Sequence, residues 1–93
     1  MNQVSVIKQG SKRVAEPFSA NKLFESILAA CLSVRLAEGA AEHTAGRTTK
    51  EVENWLINKS EVTSNDIRRQ AAKTLIVLCP EAGYLYQQNK TIM

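Results

Sequence analysis

The chain has 93 residues, 44% of them hydrophobic and 23% charged, with a formal net charge of +3. That is enough for one soluble globular domain, residues 1–93, and too little for two. No apolar run approaches the roughly 20 residues of a membrane-spanning helix, the first ten residues lack the apolar stretch of a secretory signal, and the expected location is cytoplasmic.

The charge is unevenly placed. Residues 1–22 hold Lys8, Lys12, Arg13 and Lys22 against Glu16, whereas residues 23–93 hold eight basic and eight acidic side chains. The whole excess therefore lies in the first quarter of the chain, which suits a small polyanion at least as well as nucleic acid. The two cysteines, Cys31 and Cys79, form no CxxC pair. One histidine cannot complete a zinc site with two thiols, so both read as reduced, buried small hydrophobes.

Taken in chain order, residues 3–9 alternate in the manner of a strand through Val4, Val6 and Ile7. Gly10-Ser11 signals a turn, and residues 12–16 are expected to return as a second strand, making a hairpin. Pro17 is expected to break the ladder, having no N–H to donate. Residues 20–35 carry Leu23, Ile27, Ala30, Cys31 and Val34 at helical spacing, with Phe24, Leu28 and Leu32 widening the stripe. Residues 38–45 are weakly helical, and Gly46 is expected to break or bend the segment. A second helix is expected over 48–58, capped by Thr48 or Thr49, with Val52, Trp55 and Leu56 on its apolar face. Residues 59–62 form a connector containing a short extended piece. The stretch TSND then caps a helix over 65–78, with Ile67, Ala71, Thr74, Leu75 and Leu78 inward and Asp66 suited to its positive end. Pro80 opens a last helix over 81–89, with Tyr84 and Leu85 as its expected core residues. The fold class is α+β: an N-terminal β-hairpin or small sheet over about four helices.

No catalytic arrangement emerges. Asp66 and eight glutamates supply carboxylates, but Asp66 is explained as a helix-start residue, and His43 sits alone in a polar segment. No Walker loop, GxGxxG or HExxH is present, so the chain is not expected to be an enzyme or to hold a metal site.

Binding of an anion is better supported. The stretch EPFSANKL starts a helix with Ser19 as cap, and Lys22 stands where a capping box would have Glu or Gln. A cation sits poorly at a helix N-terminus unless an anion occupies it. Lys8 would reach the same place if the hairpin packed beside that helix start. The alternative is that Lys22 extends into solvent at a cost of a few tenths of a kcal/mol. A rival is the helix beginning TSNDIRRQAAK, whose Arg68, Arg69 and Lys73 would suit a DNA-recognition helix. Its acidic neighbours balance that charge, and nucleic acid is not the expected partner.

The ordered segments VSVIK, EPFSANKL, TTKEVENWL, EVTSNDIRRQAAKTL and PEAGYLY resemble the ATP-cone domain. This nucleotide-sensing module occurs in ribonucleotide reductase large subunits and in the bacterial transcriptional repressor of their genes. The resemblance covers about residues 4–88, its most specific part being Glu16-Pro17-Phe18 followed by Lys22. It implies a small sheet over about four helices, with ATP or dATP bound as an effector together with Mg2+. Carried over by position, Val6 and Lys8 belong to the first strand and Lys8 meets phosphates. Glu16, Pro17, Phe18, Ser19, Ala20, Asn21 and Lys22 form the loop and helix start around the nucleotide. Ser64, or Thr63 beside it, supplies a hydroxyl, and Arg68 a polar contact. Gln9 stands where the family usually has a basic residue, so Lys12 or Arg13 is expected to replace that phosphate contact. The implied partners are adenine nucleotides and either further copies of the chain or a larger regulated protein. The alternative function is a degenerate, nucleotide-free interaction module.

Overall fold

The computed structural model describes residues 4–8 and 14–88. Among these residues, three short strands and four helices follow one another. β1 spans Ser5–Lys8, β2 Val14–Pro17, α1 Ala20–Ser33 and α2 Glu38–Leu56; β3 spans Glu61–Thr63, α3 Ser64–Leu78 and α4 Pro80–Gln88. The expected Gly10-Ser11 turn lies outside the described residues.

β1 is the middle strand of a sheet ordered β2-β1-β3. It pairs antiparallel with β2, Ser5 opposite Pro17 and Lys8 opposite Val14. It pairs parallel with β3, Ser5 opposite Glu61 and Ile7 opposite Thr63. Pro17 therefore does not interrupt the ladder but ends it. β2 is an edge strand, where a missing N–H is tolerated, and the next residue takes over: the Phe18 N–H donates to the Val4 carbonyl at 2.8 Å.

α1 packs on α2 and α4, α3 packs on α2 and α4, and the sheet rests on α3 through β1 and β3. The core is continuous across these contacts. Leu23, Ile27, Ala30 and Cys31 come from α1, Ala41, Ala45 and Val52 from α2, and Ile67, Ala71 and Leu75 from α3, all at most 1% exposed. Each large aliphatic side chain buried this way stabilises the fold by about 1.5–3 kcal/mol. The stripe expected on α1 is thus observed, except that Leu32 is 44% exposed. Leu78, expected inward on α3, is also largely exposed, at 39%.

Two helix endings use a left-handed residue that is not glycine. After α1 the Leu36 N–H donates to the Cys31 carbonyl and the Arg35 N–H to the Leu32 carbonyl. This is a Schellman closure, with Arg35 at φ 65° in the place glycine favours. After α2, Asn58 at φ 79° turns the chain, and the Lys59 N–H reaches the Leu56 carbonyl.

α2 corrects the expectation of a break at Gly46. It runs unbroken for 19 residues, and Thr48 and Thr49 are buried inside it rather than capping it. A mid-helix glycine costs only about 1 kcal/mol, less than packing Ala41, Ala45, Thr48, Thr49 and Val52 as one buried stripe returns. The Thr49 hydroxyl is satisfied within the helix, donating to the Ala45 carbonyl at 2.8 Å.

α4 corrects a second expectation. Tyr84 is 64% exposed, and Tyr86 is the fully buried aromatic. Gly83 explains the orientation. It lies so close to α3 that a Cβ would come within 2.5 Å of the Ile76 nitrogen and of Ile76 Cγ1. That contact turns the Ala82–Gly83–Tyr86 face inward and leaves Tyr84 outside.

Candidate functional site

The start of α1 is built as the sequence suggests. Ser19 has extended backbone (φ −118°, ψ 109°), and its side chain accepts a hydrogen bond from the Lys22 N–H at 3.2 Å. The Leu23 N–H donates to the Ser19 carbonyl. Phe18 is half-buried against the core, anchoring the approach to the helix, while Pro17, Asn21 and Lys22 are exposed and Ala20 is half-buried. The first turn of α1 contains no acid. The positive end of its dipole thus meets no carboxylate from the helix's own first turn and has a lysine beside it, an arrangement that favours an anion.

The start of α3 is built differently. Thr63 and Asp66 form a capping box: the Thr63 N–H donates to Asp66 Oδ2 (3.1 Å), and the Asp66 N–H donates to Thr63 Oγ1 (3.0 Å). The Thr63 backbone N–H, and after it the Thr63 side chain, hold the Asp66 carboxyl below the usual carboxylate range. Arg69 Nη1 lies 3.9 Å from Asp66 Oδ1. The positive end of this helix is thus already matched by a carboxylate of its own. Ser64 opens the helix half-buried, and half-buried Arg68 donates from Nη1 to Asn65 Oδ1 at 2.9 Å. Asn65 was not singled out in the sequence; its i, i+3 spacing from Arg68 was the available signal.

The sheet register divides the expected residues into two groups. Pro17 to Lys22 lie at the Val4–Ser5 end of β1, where Pro17 is opposite Ser5. Lys8, Thr63 and Ser64 lie at the other end, where Ile7 is opposite Thr63. Three residue steps of strand separate Ser5 from Lys8, about 10 Å. Val6, between them, is 6% exposed and belongs to the core, and Glu16 is its partner across the ladder. Lys12 and Arg13 lie outside the described residues.

A groove of about 370 Å³ runs along α2, lined by Glu42, His43, Gly46, Arg47, Lys50 and Glu51. It adjoins α1, because a Cβ on Gly46 would sit 3.9 Å from the Phe24 ring. Its two acids, Glu42 and Glu51, balance its two bases, Arg47 and Lys50, and give no net preference for an anion. Among the described residues, no group of three His, Cys, Asp or Glu side chains is placed to share a metal ion. Burial, together with the neighbouring Cys79, pushes the Cys31 thiol up to about 11, so it remains protonated at neutral pH. No helix among the described residues is long and apolar enough to cross a membrane.

The ATP cone domain family model matches residues 5–89. The chain belongs to the ATP-cone family. Searches of curated proteins and of solved structures found no match. ATP cones are nucleotide-sensing regulatory modules that bind ATP or dATP as effectors. The matched span takes in every strand and helix of this cone, and both groups of expected residues at the two ends of β1.

Proposed function

We propose that this cone binds ATP or dATP with the phosphates at the start of α1, and that the bound nucleotide controls either self-association or docking to a larger protein. The observation that carries the reading is the acid-free first turn of α1, with its Ser19 cap and Lys22, inside a chain matched as an ATP cone over residues 5–89. The group formed by Lys8, Thr63 and Ser64 lies about 10 Å along β1, a distance suited to a whole nucleotide rather than a lone phosphate, and Arg68 follows one turn into α3, near Tyr86. In this reading Lys22 and the α1 amides hold phosphate oxygens, and the α3 start meets the other end of the ligand. Lys12 or Arg13 completes the phosphate contacts.

Mg2+ fits as a passenger on the phosphates, since Mg2+ commonly keeps several waters and takes phosphate oxygens as ligands, and the first turn of α1 supplies no carboxylate. It would neutralise part of the triphosphate charge. We assign the chain no catalytic step of its own. A ribonucleotide reductase, or transcription of its genes, is the regulated process that fits the domain's usual settings.

Titration calorimetry with ATP and with dATP, in the presence of Mg2+, tests the reading. Saturable heat with one-site or two-site stoichiometry is expected. Absence of both heat and thermal stabilisation at millimolar nucleotide would leave the nucleotide-free interaction module as the better description.

A further inference from the structure

α4 packs on α3 and α1, and two of its contacts, about one helical turn apart, set its placement. At the first, Gly83 lies against the α3 backbone at Ile76. At the second, the Tyr86 hydroxyl lies 3.0 Å from Ser26 Oγ on α1. Tyr86 is fully buried and Ser26 is 7% exposed. Counting protons gives the direction of the bond. Ser26 donates its single hydroxyl proton to the Leu23 carbonyl, 2.8 Å away. Its oxygen is then the acceptor, and Tyr86 donates. Leu23 in turn donates its N–H to the Ser19 carbonyl. A hydrogen-bonded path therefore runs from the cap of α1, through Leu23 and Ser26, to the phenol of α4.

A buried polar contact of this kind tolerates displacement less well than an apolar one, because each partner left unmatched in the core carries its full desolvation cost. Ser26 also moves with the first turn of α1, since Lys22 and Ser26 are i, i+4 neighbours on one helix.

We infer that Tyr86 is a positioning residue that couples the first turn of α1 to the placement of α4. This rests on the reading of α1 as the phosphate-binding helix. When an anion draws in the Ser19–Lys22 turn, the Leu23 carbonyl and Ser26 shift with it. Tyr86 follows, and α4 pivots about its close contact at Gly83. Tyr84, exposed between the two holding points, carries the change to the surface. By linkage, whatever fixes α4 alters affinity at α1 by the same factor as nucleotide alters α4.

The test uses the whole chain with ATP and Mg2+, comparing the unaltered protein with Tyr86→Phe, which keeps the ring and removes the hydroxyl. Calorimetry reads affinity, and hydrogen exchange reads the α4 amides. ATP is expected to slow exchange in α4 of the unaltered chain. Tyr86→Phe is expected to lose that response and to bind ATP about five-fold more weakly. Ser26→Ala should do the same, and the double variant should be no worse than either single one, because the two changes remove one interaction. Should Tyr86→Phe not fold, Ser26→Ala breaks the bond from the other side and carries the same outcomes. Thr49→Ala, which removes a buried hydroxyl bonded inside α2, should lose stability but keep the α4 response. Unchanged affinity together with a retained α4 response in Tyr86→Phe overturns the coupling. So does nucleotide binding by the unaltered chain without any change in α4, an outcome that leaves the proposed function standing. No nucleotide binding at all removes both.

Discussion

Replacing Gly83 with alanine should destabilise the fold by about 2 kcal/mol, despite alanine being the better helix former. The new Cβ would stand 2.5 Å from the Ile76 nitrogen and 2.6 Å from its Cα. Carbon contacts are optimal near 3.5–4.0 Å, so the two helices must part by about 1 Å, and a gap of that size forfeits a quarter to a half of the dispersion well of the atoms it separates. Because two of the three nearest atoms are backbone, a rotamer change of Ile76 does not by itself relieve the clash. Overpacking costs about 1–3 kcal/mol and occasionally more, and a clash against backbone falls at the upper end of that range, about 3 kcal/mol. The helix preference of alanine over glycine offsets about 1 kcal/mol of that. A net loss of about 2 kcal/mol corresponds to a fall in Tm of roughly 10 °C for a domain of this size. Gly46→Ala is the internal contrast. Its Cβ would meet the Phe24 ring at an ordinary 3.9 Å, so the helix preference should show as a gain of about 0.5–1 kcal/mol. Thermal and urea unfolding, followed by far-UV circular dichroism and by Trp55 fluorescence, measure both. A Gly83→Ala protein as stable as the unaltered chain would refute the backbone contact between α3 and α4, and with it the pivot on which the coupling depends.

Lys22→Ala should weaken ATP binding by about 10- to 100-fold, the range for losing one charge-assisted contact, whereas Lys73→Ala on the exposed face of α3 should change it little; equal losses in calorimetry would remove Lys22 from the site. Asp66 makes stability depend on acid. Its folded-state pKa is lowered by the Thr63 hydrogen bonds, so its contribution is full above the unfolded value of about 3.9 and is lost as pH falls through the folded value. Tm measured from pH 6 downward should therefore drop below about pH 4, and less steeply in Asp66→Asn; identical acid limbs would contradict the capping box. Arg35→Gly should stabilise the fold by about 1 kcal/mol by relieving a left-handed side chain at the end of α1, and a loss on urea unfolding would show that Arg35 contributes more than its backbone conformation costs.

Local chemistry was legible in the sequence where neighbours in the chain decide the structure. Ser19 and Thr63 have the capping side chains that their helices use, and Pro80 opens α4 as proline at a first turn does. The misses arose where distant residues decide. Gly46 reads as a break because the residue itself disfavours helix, yet the stripe from Ala41 to Leu56 gains more from packing against its neighbours than the glycine loses. β3 is three residues long and exists because β1, more than fifty residues earlier, pairs with it. Nothing in Glu61-Val62-Thr63 announces that partner. Tyr84 and Tyr86 are equivalent as residue types, and only the approach of Gly83 to Ile76 chooses between them. For the site, the sequence indicated the α1 start and the hydroxyls at the α3 start, but not that the register of β1 sets them at opposite ends of one strand. The fold supplies the separation, which the proposed nucleotide would have to span.

The strand nearest the start of the chain is also the middle of the sheet. Its antiparallel partner is available almost at once, but its parallel partner is made only after α1 and α2. During synthesis, β1 must therefore wait, half-paired, until most of the chain exists, and the sheet closes late by a long-range step that is intrinsically slower than helix formation. The same geometry makes the N-terminal strand a poor place to trim. Removing residues 1–8 would not shave an edge. It would take out the strand between β2 and β3, expose the ladder groups of both, and detach the loop leading into Lys22 from the carbonyl of Val4 that fixes it.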